Sequence, residues 1–175
     1  YGSLSILVQS FLNQTNPNWR LHVIHDGHDE VFQTQMQAYC EKDNRIRFSW
    51  TGERSNDWGH TLRDEGLKLS TGDYILITNG DNYYVPLFVD FMVKEIQDHD
   101  PDVLIYDMIH SHDLPGGRNL PAYSFFQTNF SRCNIDMGAA VVKGDLARRA
   151  GFRDRSRDAD ATYFEDVLVA KQSEP

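Results

Sequence analysis

Three stretches of the sequence set carboxylates where chemistry could use them. Asn79-Gly80-Asp81-Asn82 directly follows the apolar run Tyr74-Ile75-Leu76-Ile77-Thr78. A carboxylate on a Gly-containing turn at the end of a buried strand can hold a hard divalent cation. Mg²⁺ and Mn²⁺ prefer oxygen ligands and are usually completed by substrate phosphates and water. Asp26-Gly27 follows the strand-like Leu21-His22-Val23-Ile24-His25. An Asp just past a strand can accept hydrogen bonds from a base or a ribose. Glu165-Asp166 lies beside Tyr163, Phe164, Val167 and Leu168, which share one helical face. The two acids therefore fall on the polar face, where a carboxylate at the mouth of a site could serve as general base. Arg63 points off the apolar stripe of its own helix and could pair bidentately with phosphate or carboxylate. Taken singly, the Asn79 and Asp26 segments read better as plain β-turns. Arg63 alone reads better as a solvated helical arginine, and Glu165-Asp166 is open to the reading of a solvated edge.

The elements that must position these residues follow from periodicity and turn chemistry. Leu4, Leu7, Val8, Phe11 and Leu12 form one helical stripe. Asn16-Pro17-Asn18 breaks it. Residues 21–25 read as a short strand, 30–42 as a helix and 46–50 as an alternating strand. Residues 57–70 are helical, with Trp58, Leu62 and Leu69 as the stripe and Gly66 on the same face, where a small residue lets the helix sit close to a sheet. Thr71-Gly72 stops it. Residues 74–78 read as a strand buried on both faces. Pro86 stands at the first turn of the next helix, which runs to about Asp98. A strand is expected over 103–106, irregular chain over 108–136, a strand over 139–143, and helices over 144–150 and 161–171. Strands alternating with helices predict an α/β sandwich with a mostly parallel sheet. In such sheets ligands bind outside the carboxyl ends of the strands, where Asp26, Asp81 and Asp107 stand.

Composition bounds the partners. The 175 residues carry a formal net charge of −9, with 40% hydrophobic residues. That is one domain's worth of chain, with too much apolar content for disorder. An acidic chain is a poor general binder of nucleic-acid backbone or anionic membrane, so no nucleic-acid partner is expected. If the ligand is a phosphate, placed arginines or a divalent metal must supply the positive charge. Cys40 and Cys133 lie far apart without CxxC spacing, which argues against a disulfide framework or a structural zinc site and suits reduced cytosolic thiols. His110 and His112 are too few for a zinc assignment. Arg148, Arg149, Arg153, Arg155 and Arg157 form a local basic patch, read first as a solvated face and second as a site for an acceptor phosphate or anionic lipid. No apolar run approaches the roughly 20 residues of a membrane-spanning helix.

Read in order, these pieces resemble glycosyltransferase family 2, the inverting nucleotide-sugar transferases of the GT-A fold. The resemblance covers about residues 1–170. SLSILVQSFLNQTNPNWRLHVIHDG looks like the family's opening helix, its SLLNQT-Y-P-like turn and its VDDGS-type strand end, with His25 and Asp26 at the Asp pair. NDWGHTLRDEGLKLSTGDYILITNGDN looks like the G-x-x-x-A-R-N-x-G stretch, then A-T-G-E-Y-I, then the Asp-x-Asp motif. Arg63, Asp64 and Gly66 stand at the R-N-x-G positions, with Asp64 where Asn is usual. Asn79 stands at the first Asp of Asp-x-Asp, and Asp81 keeps the last, the usual metal ligand. YFEDVLVAK looks like the Glu-Asp motif, whose Asp is the catalytic base. Tyr1 looks like the Tyr of the P-T-Y-N-like turn that closes the family's central first strand. That strand does not precede it here, so a trimmed chain and a sheet short of one member are expected.

The resemblance implies a single domain over 1–175, with a nucleotide-binding half near 1–107 and an acceptor-side half near 108–175. It implies Mn²⁺ or Mg²⁺ at Asp81 and a nucleotide-sugar donor, a UDP-sugar first among them. Asp26, Gly27, Arg63, Asp64, Asn79 and Gly80 would contact that donor, and Asp166, aided by Glu165, would be the base. The acceptor would be a glycan, a lipid-linked molecule or a small molecule. The setting would be cytoplasmic, or membrane-associated through a segment or partner outside this sequence. Two other readings stay open. One is a non-catalytic module of the same fold, suggested by His25, Asp64, Asn79 and the missing strand. The other is a related nucleotidyltransferase. A dinucleotide dehydrogenase is disfavoured because no G-x-G-x-x-G opens a helix after a strand.

Overall fold

The computed structural model describes residues 2–111 and 122–173. Helix α1 (Gly2–Leu12) buries Leu7, Val8 and Phe11. It leads through the Asn-Pro-Asn break to β1 (Leu21–His25), α2 (Glu30–Lys42) and β2 (Ile46–Trp50). Asp29 caps α2, its carboxylate accepting the Phe32 N–H at 2.8 Å and satisfying one orphan donor of the first turn. Strands β1 and β2 pair in parallel, Leu21 opposite Ile46 through His25 opposite Trp50. Their core joins Val8, Phe11, Trp19, Leu21, Phe32, Met36 and Ile46.

Helix α3 (His60–Leu69) crosses to β3 (Tyr74–Leu76), then α4 (Phe88–His99) and β4 (Val103–Ile105). Strand β7 (Ala140–Lys143) runs between β3 and β4 and antiparallel to both, so β3 and β4 share one direction. The expectation of parallel pairing thus holds for β1–β2 and for the common sense of β3 and β4. Strand β7 makes the sheet mixed. Helices α5 (Gly144–Ala150) and α6 (Ala159–Gln172) cover β7, with Met137, Val142, Leu146, Phe152, Phe164 and Val167 in this second core. Gly144 lets β7 turn straight into α5. Its N–H meets the Asp73 carbonyl at 2.6 Å, and a Cβ there would collide with the Gly72 carbonyl oxygen.

Two expectations need correction. The stretch 108–136 holds a ribbon, β5 (Met108–Ser111) paired antiparallel with β6 (Tyr123–Phe126), while the intervening Pro115-Gly116-Gly117 and His112 lie outside the described residues. The ribbon is half exposed, so its apolar groups alternate over only four residues per strand, too few for a clear period. The stripe of α3 also differs. Trp58 precedes the helix at φ 57° and is exposed, as is Leu69; His60 and Leu67 are the buried residues. Gly66 does face the sheet, where a Cβ would lie 3.5 Å from Ile24, an ordinary contact.

One staple sits beside the first core, at the glutamine of the Asn13-Gln14-Thr15 turn. The Gln14 amide donates to the carbonyls of Ser10 and Val85, each at 2.9 Å, and its oxygen accepts the Val89 N–H at 2.9 Å. It thereby fixes the chain that follows Asn79-Gly80-Asp81-Asn82. A groove of about 450 Å³ runs along β1, lined by all five of its residues, by Leu4 and Leu7 of α1 and by Thr78 and Gly80. Among the described residues β1 pairs only with β2 and β3 only with β7, so the groove lies between two sheets that share no ladder there.

Candidate active site

The chain beyond β3 is held as a rigid turn. The Tyr84 hydroxyl donates to Thr78 Oγ1 at 2.6 Å, and the Asn82 amide donates to the same oxygen at 2.9 Å. Asn82 packs over Gly138, where any side chain would displace it. The Asn79 side chain accepts from Arg63 Nη2 at 2.7 Å. Arg63 is a junction of three elements. Its Nη1 also reaches His60 Nδ1 at 2.8 Å and Asp160 Oδ1 of α6 at 3.2 Å. Its guanidinium carbon lies 5.6 Å from the Phe152 ring centroid. The arginine side chain is only 12% exposed and the Asp160 side chain 32%. Burial pushes the Asp160 carboxyl above the usual carboxylate range, against the pull of Arg63, and the nearby Asp136 charge adds to the rise.

The two strand ends converge, since His25, Thr78 and Gly80 line one groove. Asp81 is exposed and Asn79 half-buried beside it. Among the described residues no three His, Cys, Asp or Glu side chains group as a metal cage. The donor set still fits Mg²⁺ or Mn²⁺, which are commonly held by one or two carboxylates together with substrate phosphates.

The remaining expected residues are placed as follows. Asp26 accepts the Ser55 and Asn56 N–H groups at 2.8 and 2.9 Å, so it anchors the 51–56 loop to the end of β1. Gly27 sits at φ 86°, and the Arg54 side chain lies where its Cβ would be. Position 27 therefore demands glycine twice over. Asp64 faces away from the Arg63 junction. It accepts from Lys68 at 2.7 Å and from the Phe152 N–H and Arg155 at 3.4 Å each. Burial raises its carboxyl, but these bonds and charges prevail and hold it below the usual range. Glu165 takes a two-pronged bond from Arg132 at 2.9 and 2.8 Å, which holds its carboxyl low. Asp166 is closed in the same way by Arg153, at 2.7 and 3.0 Å.

The structure therefore brings together Arg63, Asn79, Gly80 and Asp81 with His60 and Asp160, two residues that sequence reasoning did not single out. Asp160 lies six residues before Asp166, in the first turn of α6. Its signal was weak, an acid in the run Asp158-Ala159-Asp160. The arginine patch is largely consumed internally. Arg148 binds the Gly72 carbonyl, Arg149 binds Asp145, Arg153 binds Asp166 and Arg155 binds Asp64.

Ahead of α6, Asp154 accepts from the Thr162 hydroxyl at 2.6 Å and from the Ser156 N–H at 2.8 Å, holding its carboxyl down at about 2. A depressed carboxylate contributes stability that is present above its unfolded pKa, about 4, and is lost as pH falls through about 2. Thr162→Val should therefore raise the Asp154 titration toward the ordinary range, read by NMR. The stability difference between variant and parent should shrink as pH falls from 4 toward 2. An unmoved titration would show that Thr162 is not the cause.

The family model for "Glycosyl transferase family 2" matches residues 2–154. The glycosyltransferase GlyG of Streptococcus pneumoniae is 24% identical over 144 residues, 82% of this chain and 44% of that protein. An uncharacterized glycosyltransferase of Rickettsia bellii is 28% identical over 92 residues, 53% of this chain and 13% of that protein. Among solved structures, S. aureus TarS 1–349 superposes with a TM-score of 0.73 at 19% identity, covering 96% of this chain and 53% of that one. The same fragment in complex with UDP-GlcNAc gives 0.72 at 17% identity, over 97% of this chain and 51% of that one. The chain thus spans about half the length of these structures and less than half of the two relatives. That match over nearly the whole chain, on a fold that gathers the motif residues at its strand ends, establishes that the chain belongs to glycosyl transferase family 2.

Proposed function

We propose that this chain transfers a sugar from a nucleoside-diphosphate donor to an acceptor hydroxyl, with inversion and with help from a divalent metal. The observation that carries this reading is the Arg63 junction. It fixes the turn bearing Asp81 against a carboxylate-bearing helix, at the ends of strands where such folds bind ligands. That TarS is solved with UDP and with UDP-GlcNAc makes a UDP-sugar the first donor to test.

In this reading Asp81 holds Mn²⁺ or Mg²⁺. The cation supplies the positive charge that a −9 protein lacks for a leaving diphosphate. Asn79 and Gly80 position the nucleotide beside it. Asp26 sets the loop at the end of β1 and keeps Gly27 and Arg54 at the same rim. Helix α6 supplies the carboxylate that accepts the acceptor's proton, and it carries both Asp160 and the Glu165-Asp166 pair. Single displacement inverts the anomeric carbon and needs no covalent glycosyl–enzyme, unlike a retaining glycosidase with its two close carboxylates.

The test is calorimetric titration of UDP, GDP and dTDP and their sugars, with and without Mn²⁺. UDP binding that strengthens at least about tenfold with Mn²⁺ is expected, a gain of about 1.4 kcal/mol. Asp81→Ala should remove that gain while leaving the melting temperature unchanged, since Asp81 is exposed. Metal-independent binding in the parent chain would defeat the metal assignment. Absence of nucleotide binding by the full chain would defeat the donor reading itself.

A further inference from the structure

We propose that Asp160, rather than Asp166, is the carboxylate that deprotonates the acceptor. This rests on the sugar-transfer reading above and names the residue within it.

A base acts best through an oxygen that no fixed donor already holds, and the acids near the site differ in this respect. Both oxygens of Asp166 are taken by Arg153, and both of Glu165 by Arg132. Both oxygens of Asp26 hold backbone N–H groups. Asp160 spends Oδ1 on Arg63, while Oδ2 carries no hydrogen bond among the described residues. Arg63 is shared with Asn79, so the free oxygen lies one guanidinium away from the turn that carries Gly80 and Asp81. The other side of α6 holds Asp166 in a different ion pair, with Arg153.

The groups facing Asp160 suit a proton acceptor. Arg63 keeps it oriented and His60 lies behind Arg63, its Nδ1 taken by the guanidinium. Asp136 is the nearby anion, with Oδ1 spent on the Gly138 N–H at 3.0 Å. Partial burial and that anion strengthen the carboxylate as a base, whereas the paired carboxylate of Glu165 is weakened by its arginine.

The step balances. Asp160 Oδ2 takes the proton as the acceptor oxygen forms its bond to the anomeric carbon. The bond from that carbon to the diphosphate oxygen breaks, and its electron pair leaves with the nucleoside diphosphate. Asp160 then returns the proton to solvent.

The experiment uses the full chain, UDP-GlcNAc and Mn²⁺, with water as the acceptor and UDP release as the signal. UDP affinity and melting temperature are measured in parallel. Asp160→Asn should lower UDP release at least about 100-fold with UDP affinity unchanged. Asp160→Glu should restore part of the rate, with the acid limb of the pH profile displaced. The larger loss should fall on position 160, not on Asp166→Asn. Retention of UDP release within tenfold by Asp160→Asn would overturn the assignment. So would loss of UDP affinity in that variant, which would mark a positioning role, or a larger loss from Asp166→Asn at intact affinity. A parent chain that neither binds nor turns over UDP-GlcNAc would instead bring down the underlying donor reading.

Discussion

Replacing Arg63 with methionine should lower the free energy of unfolding by about 2–4 kcal/mol, most of it at neutral pH. Methionine keeps an apolar stem but removes the guanidinium over Phe152 and three polar ties, to His60, Asp160 and Asn79. Removing one partner of a buried ion pair costs about 3–5 kcal/mol, because it leaves the other charge uncompensated. The Asp160 side chain keeps 32% exposure, so the lower part of that range applies. The sign of the pH dependence follows from the direction of the Asp160 shift. Its carboxyl is already raised in the folded chain, so folding is favoured below the ordinary carboxylate pKa and loses that advantage as pH rises through the folded value. Without Arg63 the folded value rises further. The deficit of the variant should therefore widen as pH climbs past the parent's Asp160 titration and shrink in acid, where both chains carry a neutral Asp160 and only the lost His60 and Asn79 ties remain. Urea unfolding from pH 3 to 8 would show this. A deficit that stays constant with pH would mean that the guanidinium is not stabilising the carboxylate.

Phe152→Ala should cost about 3–5 kcal/mol, the largest loss expected of any single substitution considered. The ring is 2% exposed. It stacks with His60 and with Tyr163, centroids 5.5 Å away in each case, and has the Arg63 guanidinium near its face. Its backbone N–H reaches Asp64 of α3. One residue between α5 and α6 thus joins the second core to the underside of the site. The Phe152→Ala and Arg63→Met losses should not add. Residues in contact typically couple by about 0.5–3 kcal/mol, because each change already loosens the other's surroundings. Equilibrium denaturation of both single variants and the double variant measures this. A loss below about 2 kcal/mol for Phe152→Ala would show that the surrounding structure closes over the cavity.

Much of the fold was legible because its signals are local. The apolar stripe of α1, the Asn-Pro-Asn break and the Gly27 turn each act over a few residues, within reach of a hydrogen bond or a backbone dihedral. Family motifs carried Arg63, Asn79, Gly80 and Asp81 to one place, and the fold does gather them. Elements failed to show where burial was shallow. The β5–β6 ribbon, with Ile109, Tyr123 and Phe125 exposed, offers no clean alternation between inside and outside. Trp58 looked like part of the helix because it falls in register with Leu62 and Leu69, yet its left-handed backbone puts it in the turn before α3.

The sequence alone determined the order of strands and helices outside the β5–β6 ribbon, many of the turns at their ends, the net charge, and most of the acids able to do chemistry. These depend on residue type and on neighbours a few positions away. Tertiary structure decided which of those acids remain free to act. Arg63 and Asp160 are 97 positions apart and Arg132 and Glu165 are 33 apart. Even Arg153 and Asp166, 13 apart, meet only because the loop before α6 folds back on that helix. Charge pairing falls off with distance in space and ignores distance along the chain. The Glu165-Asp166 pair that stood out in sequence is therefore closed by two arginines, while the less conspicuous Asp160 keeps an open oxygen beside the site.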